Sequence, residues 1–98
     1  MNDAPEFAVT RRYRVYGRVQ GVGFRAFVVR KARNLGIGGW VRNCPDASVE
    51  VLCAATVEGH ERFRKLLQEG PIWSRVSQVE REDVEGTPVS SSEFSIVY

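Results

Sequence analysis

The hydrophobic pattern of this chain switches repeatedly between the two-residue period of a β-strand and the 3.6-residue period of a helix. Residues 11–19 alternate apolar and polar side chains, which predicts a strand. Residues 24–35 repeat apolar side chains at helical spacing and stop before Gly36, which predicts a helix with a glycine at its C-terminal end. A chain that alternates in this way is expected to pack helices against a sheet.

The rest of the chain continues the alternation. The predicted segments are a hairpin of strands 38–43 and 48–55, a helix capped by Thr56 and stopped at Gly70, a strand 76–84, and a short strand 94–98 after the turn-forming residues 85–92. This order predicts an α+β fold: a ferredoxin-like βαββαβ sandwich, in which two helices cover one face of one mostly antiparallel sheet, with a short extra C-terminal strand. We expect a single domain over residues 1–98, with residues 1–9 as a flexible N-terminal extension.

Composition narrows the class of partner. No apolar stretch approaches the roughly 20 residues that span a membrane, and residues 1–7 lack the features of a signal peptide. We therefore expect a cytoplasmic monomer with no membrane partner. The net charge of +2 is too small to indicate nucleic-acid binding. Cys44, Cys53 and the single histidine, His60, form no metal motif, so we expect no metal, no cofactor and two free thiols.

The segment GRVQGVGFR, residues 17–25, connects the first strand to the first helix. Closely spaced glycines allow successive N–H groups to point into one concavity, and a helix N-terminus adds partial positive charge. Arg25 would place a guanidinium beside them, which suits phosphate. The spacing leaves two interpretations open, an anion site or a tight turn followed by a solvated arginine.

Asn43 ends the second predicted strand. Asparagine at a strand end is usually a turn former. In a split βαβ unit, however, strands one and two run parallel with strand three between them, so Asn43 and the Arg25 loop lie at the same sheet edge. Two strand spacings separate them by about 10 Å, which two side chains can span around a phosphoryl group.

Together, GRVQGVGFR, GWVRN (residues 39–43) and SVEV (residues 48–51) resemble the acylphosphatases, and the resemblance extends from about Arg12 to Tyr98. It implies that Arg25 binds phosphate and that Asn43 is the catalytic amide that holds the attacking water. The phosphate cradle implied by the resemblance consists of the backbone of Gln20, Gly21, Val22, Gly23 and Phe24. The chain departs from the family pattern at Ala47, where glycine is common, and at Ala54 and Ala55.

The implied reaction is hydrolysis of a small acyl phosphate to a carboxylate and inorganic phosphate. The leaving carboxylate has an ordinary pKa of about 4, so no strong general acid is needed and we expect metal-independent turnover.

Three alternatives can be weighed against the residues. The strongest is a phosphate-binding module of the kind found at the front of larger carbamoyl-transfer maturation proteins, although the end at Tyr98 favours a free-standing enzyme. An RNA-binding sheet would need exposed stacking aromatics, which the first and third strands lack, and a metal chaperone would need Cys-x-x-Cys, which the sequence also lacks.

Overall fold

The computed structural model describes residues 8–85 and 93–98. Its elements, in chain order, are β1 (Val9–Arg18), α1 (Phe24–Asn34), β2 (Gly38–Asn43), β3 (Val49–Ala55), α2 (Val57–Glu69), β4 (Arg75–Asp83) and β5 (Phe94–Ile96). The predicted order is confirmed, with small shifts at the element ends. Val9, which the sequence placed in a flexible extension, belongs to β1; residues 1–7 of that extension and residues 86–92 of the predicted turn lie outside the described residues.

The five strands form one sheet in the order β4-β1-β3-β2-β5. β1 pairs antiparallel with both β3 and β4, and β2 pairs antiparallel with β3. β1 and β2 therefore run parallel with β3 between them. The extra strand β5 pairs parallel with β2 at one edge. The α+β ferredoxin-like prediction is confirmed.

The two helices pack on one face of this sheet. The core between the layers includes Tyr13, Val15, Phe24, Val28, Val41, Val49, Val51, Phe63, Leu67 and Phe94. α1 ends in the hydrogen-bond pattern of a Schellman motif: Gly36, at φ 70°, donates to Arg33, and Ile37 donates to Ala32. α2 begins where the Thr56 hydroxyl accepts from the Gly59 N–H at 3.0 Å. Within the described residues, neither helix has the length and apolarity needed to cross a membrane.

The other face of the sheet is charged. Glu50 is buried there, with 5% of its side chain exposed, and both oxygens of its carboxylate lie 2.7 Å from arginine nitrogens of Arg12 and Arg42. A concavity of about 670 Å³ lies over this face, lined by Arg12, Arg14, Tyr16, Glu50, Glu80, Arg81 and Glu82. Because the arginines that line this cavity already lie beside carboxylates, the cavity is a poor site for an anion despite its volume.

Candidate functional site

The loop between β1 and α1 has the backbone conformation that its glycines permit. Gly21 has φ 74°, and Gly23, the N-cap of α1, has φ 80° and ψ 18°. A side chain at either position would meet no atom within 4 Å, so it is the left-handed conformation that requires glycine there. The loop is consequently open on its outer side.

The backbone N–H donors of this loop have no acceptors in the part of the chain that the structure describes. Among the described residues, no N–H of residues 20–23 donates a hydrogen bond, and no side chain caps the N-terminus of α1. Four N–H groups at a helix start normally lack intrahelical partners, and the helix dipole adds positive potential. The loop can therefore accept an anion at little cost.

Arg25 lies in the first turn of α1 and is half-buried. Its guanidinium forms no ion pair with a carboxylate in the described part of the chain. It lies over the Tyr98 ring, with its Cζ 5.3 Å from the ring centroid. A small concavity of about 160 Å³ joins the arginine to the loop; it is lined by Val19, Gly21, Gly23, Phe24, Arg25, Ala26 and Ile96.

The side chain of Gln20 connects this loop to the β2–β3 hairpin. Its Nε2 donates to the carbonyls of Cys44 and Ser48, each at 2.9 Å. These two residues lie on either side of the hairpin turn, and the Cys44 N–H donates to the Ser48 carbonyl at 2.8 Å. The Gln20 side chain therefore holds the loop beside Cys44, the residue that follows Asn43.

Asn43 ends β2 on the same sheet edge. It lies opposite Val49, which lies opposite Val15, and both valines are fully buried in the core. Asn43 therefore points to the helix-covered face, as does Val41 two residues before it. Its Oδ1 is buried and has no hydrogen-bond partner among the described residues. A buried amide oxygen without a protein donor is uncommon, and it is available to accept a hydrogen bond from a water or a ligand.

The turn between β2 and β3 contains Ala47, one of the positions at which the chain departs from the acylphosphatase pattern. This residue has φ 76°, the only non-glycine residue with a positive φ among the described residues. The glycine common in the family would adopt this conformation without strain. Asp46 supports the turn by accepting hydrogen bonds from the Ser48 N–H and hydroxyl. The other two departures, Ala54 and Ala55, are ordinary β3 residues paired with β1.

A separate polar cluster lies at the opposite end of β1. His60 is fully buried; its Nδ1 is 2.9 Å from the Tyr13 hydroxyl, and its Nε2 is 2.6 Å from the Val9 carbonyl. Burial lowers the pKa of His60 and raises the pKa of Tyr13 and of Cys53 to about 12 each. Cys44 and Cys53 are free thiols, as expected. In the described residues, no group of three or more histidine, cysteine or acidic side chains comes together in a way that could hold a metal ion.

Two structural features were not predicted from the sequence. The first is the tether from Gln20, which depends on contacts 24 and 28 residues away along the chain that no local pattern shows. The second is the exposed pair Ile72 and Trp73, which precedes β4 at the end of the sheet where β1 ends. The sequence could have predicted this exposure, because two large apolar side chains in a short turn between a helix and a strand cannot both reach the hydrophobic core.

The chain is similar to known proteins in both sequence and fold. The acylphosphatase family model matches residues 11–96. An acylphosphatase of Koribacter versatilis is 53% identical over 74 residues, which cover 76% of this chain and 67% of that protein. The solved structure of an acylphosphatase from Coxiella burnetii superimposes with a TM-score of 0.87 at 30% identity, covering 99% of this chain and 100% of that one. Full-length HypF matches with a TM-score of 0.83 at 27% identity, covering 93% of this chain and 12% of that one. The chain therefore belongs to the acylphosphatase family of hydrolases.

Proposed function

We propose that this protein hydrolyses the carboxyl–phosphate bond of small acyl phosphates, with Arg25 and the backbone of residues 20–24 binding the phosphoryl group and Asn43 orienting water. The observation that carries the proposal is the buried Oδ1 of Asn43, which has no partner within residues 8–85 and 93–98, at the same end of the sheet as a loop whose N–H donors also lack partners there. The Asn43 oxygen can accept a hydrogen bond from a water molecule. The loop N–H groups can donate hydrogen bonds to a phosphoryl dianion.

Binding of the phosphoryl group uses the donors. The N–H groups of Gln20, Gly21, Val22, Gly23 and Phe24 supply short hydrogen bonds to its oxygens, and Arg25 adds a permanent positive charge. Among the described residues, the N–H groups of residues 20–23 have no protein acceptor to leave and Arg25 has no carboxylate partner, so these donors are already arranged for the charge that develops in the transition state. Gln20 keeps the cradle at a fixed position relative to Asn43 through its two carbonyl contacts.

The chemical step needs little more. Asn43 Oδ1 accepts one O–H of the attacking water and directs its lone pair at phosphorus. The new P–O bond forms as the bond to the acyl oxygen breaks, and the carboxylate leaves with that electron pair. Both water protons remain on the phosphate product until solvent removes one. Asn43 positions the water and is not required to deprotonate it, because the leaving carboxylate has a conjugate-acid pKa of about 4.

A second candidate function is a phosphate-binding module of a larger protein. The likeness to a segment of full-length HypF, whose structure was determined with phosphate and nucleotide bound, favours this alternative. Both functions require phosphate binding at Arg25, so binding alone does not separate them. Turnover of a free acyl phosphate does.

The proposal includes a cytoplasmic monomer that acts on an acyl phosphate without a metal, cofactor, membrane or nucleic-acid partner. The test is hydrolysis of benzoyl phosphate by the purified protein in excess chelator, with chromatography to determine the oligomeric state. We expect the chelator to leave turnover unchanged and the protein to elute as a monomer. Turnover that disappears with chelator would contradict metal independence, and phosphate binding without turnover would favour the module.

A further inference from the structure

The connection between α2 and β4 carries two large apolar side chains into solvent. Ile72 is 87% exposed and Trp73 is 75% exposed. Among the described residues, Trp73 has no aromatic or cation–π partner. Exposed tryptophan is uncommon because it leaves a large apolar area in water, and paired with isoleucine it indicates a contact surface.

The turn that carries these residues is fixed. The Ser74 N–H and Ser74 hydroxyl both donate to the Pro71 carbonyl, at 2.9 and 2.7 Å. This closes a four-residue turn with Ile72 and Trp73 at its two central positions. The side chains are therefore held at one place on the surface with little backbone freedom to lose on contact.

The turn that carries Ile72 and Trp73 lies beside the loop between β1 and α1. Arg75 pairs with Arg18, the last residue of β1, so the residues before Arg75 run alongside those after Arg18. Just before the turn, a side chain at Gly70 would lie 3.1 Å from the ring of Phe24, the residue next to Arg25. The turn and the loop therefore lie at the same sheet edge.

The strand order sets the turn and Asn43 on opposite sides of the loop. In the order β4-β1-β3-β2, the loop follows β1, Asn43 ends β2 two strands away on one side, and Ile72 and Trp73 precede β4 on the other. In phosphoryl transfer, the attacking and leaving oxygens lie roughly in line across phosphorus. Water held by Asn43 thus directs the leaving acyl group toward the turn.

We propose that Trp73, with Ile72, forms an apolar platform that contacts the acyl group and gives the enzyme a preference for acyl phosphates with an aromatic or bulky aliphatic acyl group. This inference rests on the proposed hydrolysis. The platform binds the part of the substrate that does not react, and its contact is retained in the transition state, so it raises kcat/KM for apolar substrates.

The experiment compares kcat/KM for benzoyl phosphate and for acetyl phosphate in the wild type, Trp73→Ala and Trp73→Phe. Trp73→Ala is expected to lower the value for benzoyl phosphate by about 2- to 10-fold, the range for losing one aromatic pair, and to leave acetyl phosphate within about twofold. Trp73→Phe should restore most of the loss. The matched control is Val57→Ala, at an exposed apolar residue at the other end of α2.

Each outcome decides the inference. Equal losses on both substrates would show that Trp73 supports the loop and does not contact the acyl group, and unchanged values on both would show that the turn has no role in catalysis. Either result overturns the platform while leaving the hydrolysis intact. Absence of turnover in the wild type on both substrates would instead refute the proposed function, and the platform with it.

Discussion

Polar groups near the start of β1 have hydrogen-bond partners within the protein, whereas those near its end lack such partners among the described residues. Where β1 begins, the ring nitrogens of His60 lie within hydrogen-bond distance of Tyr13 and the Val9 carbonyl in a fully buried cluster. Where β1 ends, the loop N–H groups, Arg25 and the Oδ1 of Asn43 lack hydrogen-bond or ion-pair partners among the described residues. Satisfied buried polar groups stabilise the fold, whereas groups left unsatisfied lower stability unless a ligand completes them. The comparison therefore predicts that substitutions at the two ends affect different properties.

The largest effect is expected from Arg25→Ala. Loss of the guanidinium should lower kcat/KM for benzoyl phosphate by about 10³- to 10⁵-fold, as for arginines that stabilise other phosphoryl transfers. The matched control is Arg30→Ala, an exposed arginine of the same helix, which should remain within a few-fold of the wild type. If a folded Arg25→Ala protein kept kcat/KM within tenfold of the wild type, Arg25 would not have the proposed role in phosphate binding.

Asn43→Ala should lower turnover by about 10²- to 10³-fold, the scale for one positioned hydrogen-bonding group. Affinity for inorganic phosphate, measured by calorimetry, should survive. Because the substitution removes a buried oxygen that has no partner in the described part of the chain, the free energy of unfolding should not fall by more than about 0.5 kcal/mol. Loss of phosphate binding would reassign Asn43 from holding water to anchoring the substrate.

At the other end of β1, Tyr13→Phe should leave kcat and KM unchanged but lower the free energy of unfolding by about 1–3 kcal/mol. The substitution removes the hydroxyl 2.9 Å from His60 Nδ1 and leaves this buried nitrogen with only the weaker Cys53 thiol, 4.0 Å away, as a partner. Tyr16→Phe is the control, since the Tyr16 hydroxyl donates to Glu80 on an exposed surface. Equal effects of the two substitutions in urea denaturation would contradict the comparison.

The same cluster predicts a pH dependence. Burial lowers the pKa of folded His60 below its ordinary value of 6.5, so below that pH the unfolded chain binds the proton more readily than the folded one. The His60 contribution to stability is therefore complete above about pH 6.5 and decreases as the pH falls. Since His60 is the only histidine, NMR titration of its ring reports this directly. A measured pKa at or above 6.5 would show that the cluster tolerates a charged ring.

The smallest expected effect is at the turn that supports Asn43. Ala47→Gly should raise the free energy of unfolding by about 1 kcal/mol, because alanine is strained at φ 76° and glycine is not. Catalytic constants should stay the same. Pro45→Ala in the same turn serves as a control for flexibility, and destabilisation by Ala47→Gly would show that the unfolded-state entropy of glycine outweighs the relieved strain.

The sequence by itself determined the order of strands and helices and the ends of most of them. These depend on local chemistry: the hydrophobic period within each segment, the Thr56 cap, the glycines at 21, 23 and 36, and the turn between β2 and β3. The same motifs were sufficient to nominate Arg25, Asn43 and residues 20–24, because their spacing lies within short stretches of a recognisable family pattern.

The tertiary structure decided what surrounds those residues. Four features join segments that are distant along the chain: the tether from Gln20, the burial of the Asn43 oxygen, the Tyr13–His60 contact, and the position of the Trp73 turn at the same end of the sheet as the β1–α1 loop. Sequence periodicity specifies which face of an element is apolar, but not which neighbour a polar group will meet there. That depends on strand order and register, which form only when the whole sheet is assembled.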